Sequence, residues 1–150
     1  MTPEAARREL GQMNVQYNEG AFIDAARDGD ALVVDLFLRA GMDVNVRDPM
    51  GRLAYDFTSK PPNADLEFKE AVARYGTDRI ANGTTALMAA AATGRTQIVK
   101  ALLAKNADIN AQDCLDMNAL TYARRQETTE TIDMLMQAGA TEPQSKQKIN

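Results

Sequence analysis

The sequence predicts an all-α fold: a solenoid of about four helix–turn–helix repeats with short β-hairpin fingers and an N-terminal capping helix. Three observations predict it. Residues 25–45 and 90–110 carry Ala-Ala, Gly, a β-branched pair, a leucine-containing pair and Asp-x-Asn at the same offsets. The recurrence has a fixed period, since Gly83 and the equivalent Asp116 stand 33 residues apart, and a fixed period marks units that stack. Ile98, Val99, Leu102 and Leu103 fall at the i, i+1, i+4, i+5 spacing of one helical face. A helix pair this short cannot bury such a face alone, so neighbouring units must supply the core.

In chain order, residues 1–17 are expected to form the capping helix. Thr2-Pro3-Glu4 is a helix start, with a capping hydroxyl and a proline in the first turn. The repeats are expected at 18–50, 51–82, 83–115 and 116–141, followed by a flexible tail at 142–150. In the third repeat Thr85 is placed to cap the first helix. Alanines 89–92 allow close approach to neighbours, and Gly94 ends the helix where a left-handed backbone is needed. The 51–82 repeat is aberrant. It carries Lys60-Pro61-Pro62-Asn63 between its helices. It also has only five positions from Asp78 to Gly83, where the equivalent Asp43–Gly51 and Asp108–Asp116 intervals have eight. A tight turn is expected there in place of a projecting hairpin. Tyr55, Phe57, Phe68 and Tyr75 put four of the eight aromatics in this unit. They either fill space left by an irregular repeat or form, with Pro61 and Pro62, a second contact surface.

Composition narrows function. The net charge is −4 and the pI about 4.9, which argues against nucleic acid or an anionic membrane as partner. It suits a neutral or basic protein, or serves solubility alone. The longest apolar run, Ala86–Ala92, is too short to span a bilayer. Residues 1–12 lack the apolar stretch of a signal peptide. The compartment is therefore expected to be cytoplasmic, or periplasmic if a leader has been removed. Compactness and capped ends favour a monomer when free.

Catalysis is not expected. With no histidine in the chain, Ser-His-Asp triads, Cys-His dyads and histidine metal sites are excluded. Phosphate-cradling glycine loops are absent. Asp43 and Asp108 sit where aspartate side chains cap turns. Cys114, the single cysteine, falls at a finger with no evident activating neighbour, so a bystander thiol is favoured over a redox switch. The reading is no enzyme, no cofactor and no metal.

Gly83-Thr84-Thr85-Ala86-Leu87-Met88-Ala89-Ala90 resembles the ankyrin signature G-x-T-P-L-H-x-A. Asn106-Ala107-Asp108-Ile109-Asn110-Ala111 and Gly41-Met42-Asp43-Val44-Asn45 resemble the family's G-A-D-V-N-A segment. The matches span roughly residues 18–141. The signature histidine is missing throughout, replaced by Met88, Asp56 and Thr121, so the buried hydrogen bonds it makes in the family must be replaced or lost.

The resemblance implies a protein-binding module that recognises partners with its finger tips and the ends of its inner helices. At the tips it points to Pro49, Met50 and Arg52, to Ala81, Asn82 and Thr84, and to Cys114, Leu115 and Met117. At the helix ends it points to Arg27 and Asp28, Ala92 and Thr93, and Arg125 and Gln126. Met50, Leu115 and Met117 are the sharpest candidates, because clustered exposed apolar groups mark partner sites. The alternative is that Leu115 and Met117 tuck against the neighbouring finger. The resemblance, with the small size, further implies a binder that inhibits its partner. An example is an immunity protein of small bacterial type guarding against a self-produced cell-wall hydrolase or toxin. The alternative is a cytoplasmic adaptor bridging two proteins.

Overall fold

A computed structural model describes residues 1–47, 83–113 and 116–143. They form seven helices: α1 (Pro3–Gln12), α2 (Glu19–Asp28), α3 (Ala31–Arg39), α4 (Ala86–Ala92), α5 (Thr96–Ala104), α6 (Ala119–Arg125) and α7 (Thr129–Gln137). The all-α solenoid class holds. The fingers contain no regular strand among the described residues; a single antiparallel bridge joins Arg47 to Thr85.

Helix starts follow from local chemistry. Orphan amides of the first turn are taken up by side-chain oxygens: Thr2 for α1, Asn18 for α2, Asp30 for α3, Thr85 for α4 and Asn118 for α6. Helix ends repeat just as regularly. Val15, Met42, Ala107 and Ala140 each donate their amide back to Leu10, Phe37, Leu102 and Leu135 at 2.9–3.1 Å. A left-handed residue sits just before each donor: Asn14, Gly41, Asn106 and Gly139. This is one termination motif used four times. It identifies α1 as a helix that ends as the outer helices do.

The helices form two layers. The outer layer runs α1, α3, α5, α7 and the inner layer α2, α4, α6, with the hairpin pairs α2–α3, α4–α5 and α6–α7 linking them. The core lies between the layers, around Leu10, Phe22, Phe37, Leu87, Leu102, Leu120 and Leu135, all buried. Every residue of α4 is buried, because inner helices cover it on both sides. A helix that is alanine at five of its seven positions permits that approach. At the N-terminus, Phe37 stacks on Tyr17 with centroids 5.6 Å apart, and Arg7 lies 4.6 Å over the Tyr17 ring. Both Arg7 and the Tyr17 hydroxyl donate to the Ala40 carbonyl, which fastens α1 to the end of α3.

The repeat expected at 51–82 lies outside the described residues. Among the described residues α2 packs on α4. The Thr93 hydroxyl reaches the Arg27 carbonyl at 3.0 Å, and the Asp108 amide donates to the Asn45 side chain at 2.7 Å. The next junction is built the same way, with the Thr141 amide on the Asn110 side chain at 3.0 Å. The two junctions among the described residues are therefore built alike. The described residues thus make three helix pairs preceded by α1. The tight turn expected at 78–83 lies, apart from Gly83, outside the described residues, as do the aromatics at 55, 57, 68 and 75 and the tail beyond residue 143.

Candidate partner-binding surface

Stacking brings the C-terminal ends of α2, α4 and α6 into a row, and with them three of the expected contact pairs. Arg27 is half-buried. Its guanidinium pairs with Asp24 at 3.1 Å and with the exposed Asp28 at 3.2 Å. Exposed pairs of this kind contribute little stability, so the pairing positions the arginine without tying down the surface. Arg95, exposed, donates to the Arg27 carbonyl at 3.3 Å. Arg125 and Gln126 are exposed at the end of α6. The row Arg27–Asp28, Arg95, Arg125–Gln126 is a charged edge carried on closely packed helices, a rigid support for recognition.

Other expected contacts are structural. Thr84 was expected at a finger tip, yet it is fully buried. It lies at the start of α4, where the Arg47 guanidinium covers the chain by donating to the carbonyls of Gly83 at 3.0 Å and Gln112 at 2.9 Å. Ala92 is 1% exposed, because α4 is enclosed on both sides. Thr93 is half-buried, and its hydroxyl is committed to helix carbonyls, including that of Arg27 across the junction. It binds unit to unit. Met117 does not project. It is half-buried and packs against the core. Its amide donates to the Asp113 carboxylate at 3.0 Å, its carbonyl accepts from the Asp113 amide at 2.9 Å, and Arg125 approaches its sulfur at 3.8 Å. Met117 is thus held by its own finger and the core rather than standing out at a tip. Pro49, Met50, Arg52, Ala81, Asn82, Cys114 and Leu115 lie outside the described residues.

Several residues that organise this surface were not singled out from sequence. Arg47 ties two fingers together. Asp113 is 4% exposed; besides closing its own finger it accepts a hydrogen bond from the buried Tyr122 hydroxyl. Asn45 and Asn110 each reach the following unit. Their period was visible, as the Asp-x-Asn recurrence, but the direction of the bond was not. Asp43 and Asp108 accept from the amides of Asn45 and Asn110 at 2.9 and 3.2 Å, the turn-capping geometry their positions suggested. The missing signature histidine is compensated at the last unit. Asn118 caps α6, accepts the Thr121 hydroxyl at 3.0 Å and donates to the Thr141 carbonyl at 2.8 Å.

Among the described residues no three His, Cys, Asp or Glu side chains are grouped as a metal site, and no helix is long and apolar enough to cross a membrane. What the arrangement offers is a shaped, charged surface on a fixed frame. Comparison with protein families agrees. Residues 63–147, more than half of the chain, match the family model described as ankyrin repeats (3 copies). This match reaches back into the 63–82 stretch that sequence reading assigned to the aberrant unit. With its paired helices, common terminators and matching junctions, the chain belongs to the ankyrin-repeat family, whose repeats are protein–protein interaction modules.

Proposed function

We propose that this protein binds a partner enzyme through the charged edge formed by Arg27, Asp28, Arg95, Arg125 and Gln126, and inhibits it by covering its working face. The observation that carries the reading is the alignment of these side chains along three rigidly stacked inner helices. Every described helix is used in the stack, so the contribution of these units is surface rather than chemistry. Arginine is favoured at interface centres because its planar fork makes several directed bonds. A partner with mixed charge, engaging both Arg125 and the Asp28 carboxylate, fits best. An immunity protein acting on a cell-wall hydrolase or toxin is one instance, and its compartment, periplasmic in that case, would be that of its target.

The test has two steps. The full chain is used to capture its partner from cells that produce it, and the purified partner is then assayed with increasing amounts of chain. Inhibition requires activity to fall until the two are equimolar, and Arg125→Glu combined with Arg27→Glu should weaken the effect about tenfold or more, a loss of at least about 1.4 kcal/mol. A partner that keeps full activity when saturated contradicts the proposal. Simultaneous capture of two proteins that do not bind each other would instead establish the adaptor reading.

A further inference from the structure

The residue before α5 is an arginine, Arg95. Before α3 the equivalent residue is Asp30, whose carboxylate takes the Val33 amide at 3.1 Å and caps the helix. Arg95 supplies no such cap, and a cation is disfavoured at the positive end of a helix. A residue that costs its own helix stability needs another role to account for it.

Arg95 is also held in a fixed place. Its Nε donates to the Arg27 carbonyl at 3.3 Å. Its side chain lies against Gly29, where an added Cβ would stand 2.8–2.9 Å from the Nε, Cδ and Cζ atoms of Arg95. The two Nη groups have no partner among the described residues. A guanidinium fixed in this way loses little freedom when it binds, and its planar fork matches a carboxylate with two parallel hydrogen bonds.

Beside Arg95 opens a cleft of about 350 Å³. It runs between Gly29 and Ala31 on one side and Gly94, Arg95 and Ile98 on the other, and Glu130 joins its lining from α7. Leu32, next to Ala31, is 54% exposed. Its equivalents in α5 and α7 are the polar Gln97 and Glu130. The surface thus sets an open arginine fork and an exposed leucine at one cleft, with a carboxylate at its margin.

We infer that this cleft anchors the interface proposed above, a reading on which the inference rests, and that it takes a lone carboxylate side chain beside an aliphatic one from a loop of the partner protein. The carboxylate meets the Arg95 Nη groups, and the aliphatic side chain covers Ala31 and Leu32. Glu130 repels a second acidic group, so a densely acidic segment is a poor fit. Gly29 is the positioning residue, because any side chain there would displace Arg95.

Two-dimensional NMR of the full chain, titrated with acetyl-Glu-Leu-amide into the millimolar range, tests the cleft without the partner enzyme. The cleft and the inhibitory reading can therefore fail separately. The amides of Gly29, Gly94, Arg95 and Gln97 should shift and approach saturation. Acetyl-Gln-Leu-amide, which lacks the charge, should bind about tenfold more weakly. Leu32→Gln should weaken binding of the first peptide. Arg95→Asp should abolish it while the chain melts no earlier than wild type, since aspartate restores the cap that Asp30 gives α3. An Arg95→Asp chain that melts well before wild type makes the arginine a structural residue and overturns the inference. Equal binding of the two peptides, or no shift at these amides, overturns it as well.

Discussion

Individual residues show where the repeat pattern is obeyed and where it is strained. The loop between inner and outer helices needs a left-handed residue. The units that hold α2 and α4 place glycine there, Gly29 and Gly94, while the unit that holds α6 places Glu127 at φ 55°. A side chain in that conformation costs roughly 1 kcal/mol relative to glycine. Glu127→Gly should therefore raise stability by about that amount in urea denaturation, and Gly94→Ala should lower it by at least as much. At Gly94 an added Cβ would also sit 3.2 Å from the Thr128 hydroxyl. The Asp113–Tyr122 pair is a second residue-scale case. Both partners are buried, and removing one partner of a buried hydrogen bond costs about 1–3 kcal/mol. Tyr122→Phe keeps the ring and its packing, so its loss in a denaturation experiment should fall in that range and loosen the 113–117 finger. An unchanged midpoint would mean that the carboxylate is satisfied without the phenol.

At the scale of elements, much of the fold was legible. The Asp-x-Asn and Gly periods marked the fingers and the loops, and Thr85 and Gly94 marked the ends of α4 correctly. What the sequence concealed was adjacency. Alignment can show that two segments are copies of one unit; it cannot say which copies touch, because the faces of α2 and α4 are built to meet any unit of the family pattern. Exposure of single positions was concealed for a related reason. Thr84 and Met117 sit at finger positions, but they lie beside Arg47, which reaches other fingers, and Asp113, which closes its own, and neither contact has a local signature. The element-scale prediction follows from the two matching junctions. Asn45→Ala and Asn110→Ala each remove one bond from a finger to the next unit, and each should cost about 1 kcal/mol. Comparable losses support two equivalent junctions, whereas a neutral Asn45→Ala beside a costly Asn110→Ala would not.

For the whole molecule, function rests on order in the stack. Arg27 and Asp28 share an edge with Arg95 and Arg125 only because the first unit lies directly on the third. The inner helices then act as one plate with a charged edge, the surface proposed above to meet a partner. Stacked units share stability between neighbours, so this order also sets how the array unfolds.

Solution NMR of the full chain measures that order directly. The account predicts nuclear Overhauser contacts from the Thr93 methyl group to backbone protons of Arg27 and Asp28, together with contacts from the Asn45 side-chain amide to the Asp108 amide proton. Absence of both, with Thr93 instead in contact with residues 51–82, would place another unit between the first and the third and contradict it.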